Sequence, residues 1–487
     1  MCPDLFWIFQ GIRLFTVCFS RFSLEKRGED HIIPWKNVIL RCLLSYNKHM
    51  KRDIYRELIK WKNSAKRKPL LMKGARQTGK TYILKLFGER EYKKLHYFNF
   101  EREPTLREHF EKDLNPNRIV EELSFLRGIP IEPSEDLIFF DEIQSTNSAL
   151  NSLKYFEEEA KEYHVVSAGS LLGVKLSSPR AFPVGKVSFL DLYPMSFLEF
   201  IEAVAKEKYR QYLAGIEQLE PIPIPFHNEL IDLLRVYCFI GGMPEAVATY
   251  VATRDLAAVR KVQEAILAAY SFDFSKHASS NDVSKISLIW GSVPAQLARE
   301  NNKFMFSALK KSARAREYES ALHWLKMAGL ILCSHSVSKV GIPIKSYTEA
   351  NSFKVYFLDV GLLCASVGLP LEVIVQGNEL FKEFKGALVE NYVAQHLVSC
   401  LNQPLYYWRN KGGTAEIDFL YENGASICPL EVKAGVNPKG KSLRSYRERN
   451  KPDMALRSSL LNLKLDDGLC NVPLYAIGCL DRLLELL

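Results

Sequence analysis

The chain has 487 residues, 47% hydrophobic and 25% charged, with 65 Lys and Arg against 56 Asp and Glu and a net charge of +9. That composition excludes a disordered, collagenous or disulfide-stapled protein and fits about three globular domains. The positive excess is mild for such a length, so it permits a nucleic-acid partner without requiring one.

From the N-terminus, Leu5 to Phe19 (LFWIFQGIRLFTVCF) is apolar but interrupted by Gln10 and Arg13. A bilayer span needs about 20 apolar residues, and a signal peptide needs a basic lead and a small-residue cleavage site. Neither pattern is met, so no transmembrane segment is expected. Residues 1–49 read as an extension upstream of a working protein that begins at Met50. The ten cysteines form no C-x-x-C pair and most sit among Leu, Ile, Val or Tyr, which predicts free thiols in a reducing, cytoplasmic setting. The ten histidines lack metal-ligand spacing, and no structural metal is expected.

Met50 to Pro69 predicts a helix with a basic surface and then a polar break. Leu70–Lys73, Leu95–Phe100, Leu137–Phe140 and His164–Ser167 are short apolar runs separated by helical stretches, the pattern of a parallel sheet with crossover helices. After the first run, Gly74 to Thr81 reads GARQTGKT, a full match to G-x-x-x-x-G-K-S/T. Gly74, Ala75, Arg76, Gln77, Thr78 and Gly79 are expected to curl their main-chain amides round a triphosphate, and the following helix turns its positive end to it. Lys80 is expected to reach the β- and γ-phosphates and Thr81 to give a hydroxyl to Mg²⁺.

The third run ends in Asp141-Glu142. Such a pair can close a solvated turn. Downstream of a phosphate loop, it is read as Asp141 holding Mg²⁺ through water and Glu142 activating the attacking water. The fourth run, HVVSAGS, offers Ser167 and Ser170; Ser170 is taken as a candidate γ-phosphate contact, although serines at strand ends often only close turns.

Glu217 to Asn228 (EQLEPIPIPFHN) is rich in proline and reads as a linker or surface loop. A helical region follows, with a break at Gly241-Gly242-Met243-Pro244. Val283 to about Val340 predicts three short helices and a strand hairpin, a winged-helix-like module, with Ser307 capping the second helix and Gly329 ending the third. Lys310, Lys311, Arg314 and Arg316 lie beside its candidate recognition helix.

The clearest hairpin lies between Leu405 and Lys433. With Asn423-Gly424 at its tip, Asp418 falls opposite Pro429 and Glu416 opposite Glu431. One face then carries Glu416, Asp418, Glu431 and Lys433, and the other Ile417, Phe419, Tyr421, Cys428, Leu430 and Val432. Asp418 with Glu431-Val432-Lys433 resembles the PD-(D/E)xK nuclease core, and Glu390 in GALVENYVAQHL matches the acid such folds present from a preceding helix. Paired carboxylates can hold Mg²⁺ while a lysine positions water. A solvated face with an ordinary Glu431–Lys433 pair is the plainer alternative. Lys439, Lys441, Arg444, Arg447, Arg449 and Lys451 follow; they could neutralise phosphates or form a solvated helical face.

GARQTGKT, LIFFDEIQ, VVSAGSLLGV, FPVGKVSFLDLYPMSFLEF, GGMPEAV and KVYFLDVGLL together resemble prokaryotic AAA-type, archaeal-ATPase-like P-loop ATPases over roughly residues 50 to 487. The resemblance implies an ATPase with Mg²⁺, and a C-terminal domain of unknown function that often carries a nuclease-like fold. Many relatives place Arg after Gly where this chain has Gly185-Lys186, and no arginine finger is assigned.

The resulting expectation is an α/β multidomain protein. Residues 1–49 form the extension, 50–216 a P-loop ATPase domain with a parallel sheet, 217–282 a helical region, 283–374 a winged-helix-like module, and 375–487 an α/β restriction-endonuclease-like domain. ATP hydrolysis would drive or gate action on DNA. The alternative is an ATP-driven switch whose nuclease-like part binds a partner without cutting, and a homo-oligomer is compatible with either.

Overall fold

The computed structural model describes residues 50–170, 185–299, 303–311, 313–370, 385–410, 412–435 and 440–487. The expected extension over 1–49, Phe182 to Val184 of the resembling segment and Lys439 lie outside them.

Five parallel strands make the first sheet: β1 (Leu70–Lys73), β2 (Leu95–Asn99), β3 (Leu137–Asp141), β4 (His164–Ala168) and β5 (Ser188–Asp191), in the order β2-β3-β4-β1-β5. Side chains alternate between its faces. Leu70, Met72, Leu137 and Phe139 pack with Leu58, Ile83, Leu84 and Phe87 on one side. Leu71, Ile138 and Phe140 pack with Ile119, Leu123, Leu153 and Phe156 on the other. Both faces are covered by helices, so β3 and β4 are buried along their whole length, which is why they read as continuous apolar runs. The strand order inserts β4 between β1 and β3. Parallel strands end on one edge, so Ser167 of β4 falls beside the ends of both the phosphate-loop strand and the acidic strand.

The proline-rich segment is helical earlier than its composition suggests. A helix runs Ile224–Ile240, with Pro225 in its first turn, where the missing N–H costs no hydrogen bond. It stops where expected, and the next helix starts at Pro244. At the break, a Cβ on Gly242 would sit 2.0 Å from the Met195 carbonyl oxygen, so no other residue fits. Met195 donates to Gly242 O over 2.6 Å.

Downstream, helices Ser280–Leu297 and Ala315–Met327 flank a 3-10 turn, Phe306–Ala308. The expected second helix is this single turn. Ser307 lies inside it and caps nothing, whereas Gly329, with φ +72°, ends the last helix as expected. Next, β6 (Ile331–Val337) and β7 (Thr348–Phe357) form an antiparallel hairpin. β6 also pairs in parallel with β8 (Tyr406–Arg409), which pairs with β9 (Glu416–Ile417), giving the order β7-β6-β8-β9. A third, mixed sheet holds β10 (Phe419–Asn423), β11 (Ser426–Val432), β12 (Ala455–Ser459), β13 (Lys464–Asp466) and β14 (Leu469–Pro473) in the order β10-β11-β12-β14-β13.

Buried polar bonds tie the C-terminal helix Lys385–Ser399 to segments earlier in the chain and join the Gly242 turn to Asp359. Asp359 accepts from the Gly242 and Leu362 amides at 2.6 and 2.9 Å, and Gln395 donates to Tyr237 Oη over 3.0 Å. His396 Nε2 accepts from the Phe197 amide at 2.9 Å and its Nδ1 lies 2.8 Å from Tyr392 O, so the ring is neutral with its proton on Nδ1. Burial pushes its pKa down to about 4 from an ordinary 6.5. A lowered folded-state pKa means the stability linked to this ring is complete above pH 6.5 and lost as pH falls towards 4. The stability gap between the parent and His396→Asn should therefore narrow from pH 7 to pH 4.5, by an amount on the order of 2 kcal/mol. Urea titrations at the two pH values measure it, and a constant gap would refute the assignment.

Candidate functional site

β1 delivers the chain into the loop Gly74 to Thr81. Gly74 has φ +144°, and a Cβ there would lie 2.2 Å from Leu192 O, because Leu192 donates to Lys73 O over 2.8 Å and presses β5's exit against the loop. Gly79, with φ +96°, takes the left-handed N-cap of helix Lys80–Glu91. Thr78 Oγ1 donates to Ala75 O over 2.9 Å inside the loop. The Lys80 ammonium is buried and donates to Gly74 O and Ala75 O at 2.9 and 2.7 Å. Burial pushes its pKa down to about 8, against the opposing pull of Glu142 and Asp141. A lysine folded onto the carbonyls of its own loop is a cation placed where an anionic ligand would meet it.

Thr81 opens the same helix, and its hydroxyl donates to Asp141 Oδ2 over 3.0 Å. Tyr97 Oη donates to that oxygen over 2.8 Å, and Asn99 Nδ2 donates to Tyr97 Oη over 3.0 Å. Burial and the Asp141 charge push the Tyr97 phenol far up, so it stays a donor. Glu142 follows in the left-handed region at φ +50°, with Gln144 Nε2 donating to its carboxylate. A hydroxyl and a carboxylate at hydrogen-bond distance, beside a lysine and a second acid, form the oxygen donor set that suits Mg²⁺ with a triphosphate. Ser170 lies just past β4 and lines a cavity of ≈ 690 Å³ with Gly74 and Ala75. Ser167 is buried within the strand.

Three contributors carry no local sequence signal. Arg52 is buried and joins elements 26, 141 and 147 residues away: NH1 donates to Thr78 O at 2.9 Å, NH2 to Tyr193 O at 2.6 Å and Nε to Glu199 Oε1 at 3.1 Å. Tyr270 donates to Arg76 O over 2.9 Å, and Asp273 pairs with the Arg76 guanidinium. These two hold the outer wall of the loop from helix Leu256–His277.

In the C-terminal hairpin the tip is Gly424-Ala425, since Asn423 pairs with Ser426. The Asn423-Gly424 tip is therefore corrected by one residue. Moving the tip by one slides the pairing by two, so Leu420 rather than Asp418 faces Pro429; Phe419, Tyr421, Cys428, Leu430 and Val432 share one face as expected, but Ile417 changes sides and packs with Leu420 and Ile427. The second correction concerns Glu416: it leaves the hairpin to pair with Arg409 in the other sheet and does not face Glu431. Asp418 sits where the chain passes from one sheet to the other, and its Oδ2 accepts from the Val432 amide over 2.7 Å. Burial, then the Glu390 charge, push its pKa up.

The expected carboxylates face cations of the chain itself. Glu431 lies 3.1 Å from the Lys433 ammonium and 3.8 Å from Arg457 Nε. Glu390 accepts from Tyr356 Oη at 3.2 Å and lies 3.5 Å from Lys354 Nζ, which lies 2.6 Å from Glu416 Oε1. Among the described residues no group of three His, Cys, Asp or Glu is placed to hold a metal ion. As arranged, these residues do not fit the divalent cation of a PD-(D/E)xK site.

Residues 66–201 match a family model described as an AAA domain. Residues 231–372 and 385–477 match two domains of unknown function, DUF8612 and DUF4143. No curated protein matches. Among solved structures, a Walker-type ATPase of Pyrococcus abyssi is 13% identical over 65% of this chain and 96% of its own, with a TM-score of 0.42. The Aeropyrum pernix ORC1 protein, solved in complex with DNA, is 14% identical over 71% and 95%, with a TM-score of 0.28. The Thermotoga maritima RuvB Holliday junction branch migration motor is 16% identical over 63% and 91%, with a TM-score of 0.26. With its parallel five-stranded sheet, the segment 66–201 has a P-loop-like fold similar to AAA domains, within a multidomain α/β chain. No helix of the described residues is long and apolar enough to cross a membrane.

Proposed function

We propose that this chain binds ATP with Mg²⁺ and hydrolyses it. The observation that carries the reading is the buried Lys80 ammonium on two carbonyls of its own loop, on the sheet edge that also bears the Thr81–Asp141 pair and Glu142. Lys80 exchanges those carbonyls for β- and γ-phosphate oxygens, with amides of Gly74 to Gly79 and the helix N-terminus adding positive potential. Thr81 and Asp141 would hold Mg²⁺, which would supply positive charge against the phosphate oxygens. Tyr97 and Asn99 keep the Asp141 carboxylate oriented. Glu142 takes the proton from the attacking water, and Ser170 contacts the γ-phosphate. Lys80→Ala should weaken ATP binding and turnover together, by about 10²–10³-fold, as expected for losing one preorganised charged donor. Nucleotide titration and phosphate release test it; a Lys80→Ala chain matching the parent in both would end the reading.

For the C-terminal half, the ATP-driven switch that binds a partner without cutting is favoured by one observation: chain cations already occupy its carboxylates. Exposed Lys310, Lys311, Arg314 and Arg316, and Lys441, Arg444, Arg449 and Lys451, support a nucleic-acid partner for the winged-helix-like and nuclease-like parts.

A further inference from the structure

Helix Lys441–Asn450, β12 and the turn between β13 and β14 line a cavity of ≈ 610 Å³, within the range of about 300–1,000 Å³ typical of small-ligand pockets. Four cations line it: Arg444 and Arg447 from the helix, Lys451 just past its end and Arg457 from β12. The Arg457 side chain is 15% exposed, and its Nε is buried with no hydrogen-bond partner among the described residues. Glu431 lies 3.8 Å from that nitrogen and 3.1 Å from Lys433, so the ion pair does not supply the missing bond. A Cβ on Gly440 would lie 2.9 Å from Arg457 Nη2; with glycine there, no side chain covers the guanidinium from that side. Arg447 donates to the Asp467 carbonyl. The exposed Arg444 and Lys451 side chains have neither hydrogen bond nor ion pair among the described residues. A cavity with a buried, unmet N–H at its floor and unpaired cations round it suits an anion.

We propose that this cavity binds a nucleotide through its terminal phosphate, whether that nucleotide ends a nucleic-acid strand or is free. A phosphate monoester carries about two charges at neutral pH and three strong acceptor oxygens, and guanidinium groups match such oxygens in bidentate pairs. An internal phosphodiester has chain on both sides and cannot bring its oxygens down to an arginine at the floor of a concave site. Glu448 and Asp467 also line the cavity. They are acceptors for sugar hydroxyls or base amino groups, which a bare polyphosphate does not offer. The proposal deepens the nucleic-acid reading of the C-terminal part, on which it rests, and does not involve the ATP site.

The test uses the full chain, without ATP, and a single-stranded oligonucleotide labelled at its 3′ end whose 5′ end is either phosphorylated or hydroxyl. Fluorescence anisotropy gives the two affinities. The parent should bind the phosphorylated strand about 10-fold tighter or more, as charge-assisted bonds to one added phosphate imply. Arg457→Met and Arg444→Met should each bring the two affinities together. Arg449→Met, which changes a cation of the same helix outside the cavity lining, should weaken both strands alike and keep the ratio. Equal parental affinity for the two strands overturns the proposal and leaves the nucleic-acid reading intact. A preference that survives in Arg444→Met/Arg457→Met also overturns it. If Arg457→Met fails to fold by circular dichroism, Arg444→Met carries the comparison. If neither strand binds, the nucleic-acid reading falls, and calorimetric titration of a Lys80→Ala chain with thymidine 5′-monophosphate decides. Binding there that Arg444→Met abolishes keeps the cavity as a site for a free nucleotide; no binding ends it.

Discussion

A Glu142→Gln chain is expected to bind ATP as tightly as the parent yet turn it over about 10²–10⁴-fold more slowly, the usual worth of a positioned proton acceptor. Substitution by glutamine keeps size and shape but removes the negative charge and with it the ability to take a proton. Its position argues for a function beyond packing. Glu142 adopts φ +50° directly after the buried Asp141, a conformation costing a non-glycine residue about 1–3 kcal/mol and found where the surroundings over-determine it. Two contacts do so: the Glu142 amide donates to Asp141 Oδ1 over 3.2 Å, and Gln144 holds the carboxylate. The carboxylate is thus fixed beside Lys80 and Asp141. Steady-state phosphate release gives kcat, and equilibrium titration with a fluorescent ATP analogue gives affinity. Parental kcat in the variant would transfer the proton-accepting role to another group.

Arg52→Ala should destabilise the protein by about 3–5 kcal/mol, the cost of breaking a buried ion pair by removing one partner. Both side chains of the Arg52–Glu199 pair are 6% exposed. Glu199 would keep the Ser196 and Asp53 amides at 2.9 and 2.7 Å but lose its charge partner, while Thr78 O and Tyr193 O would lose donors. For a domain of this size the midpoint of thermal unfolding should fall by on the order of 10 °C. The double change Arg52→Met/Glu199→Met should recover only part of that loss, because it removes the charge left alone but also strips the Ser196 and Asp53 amides of their acceptor. It should not restore ATP affinity, because no donor would then hold Thr78 O against the exit of β5. Calorimetry of the three chains, with nucleotide titration, separates the two effects; a loss of less than about 1 kcal/mol in Arg52→Ala would place this pair among ordinary surface bridges.

The P-loop part was legible because its determinants are local. Leu70–Lys73 is the strand that its apolar run predicts, and the next three runs differ from theirs by one residue at an end. A two-sided sheet imposes uninterrupted apolar runs, and the phosphate loop carries glycine at two of its three positive-φ positions, Gly74 and Gly79, with Gln77 at the third. The proline-rich stretch misled because proline in a first helical turn looks like proline in a loop. In the C-terminal hairpin, Asn-Gly suggested the tip; strand pairing placed it one residue later, and the passage of Glu416 and Ile417 into the other sheet put Ile417 on the face of Leu420.

By itself, then, the sequence determined which residues form the phosphate loop and which two acids follow the third strand of the first sheet. Each depends on spacing within a few residues, set by strand alternation and backbone freedom. Only the tertiary structure decided that Arg52 clamps the loop, that Tyr97 donates to Asp141, and that Lys354 pairs with Glu416 and Glu390. Those are meetings of buried charges and dipoles across sheets and domains, and in a low-dielectric interior the partner that satisfies a charge is chosen by three-dimensional proximity, of which neighbouring residues in the chain carry no trace.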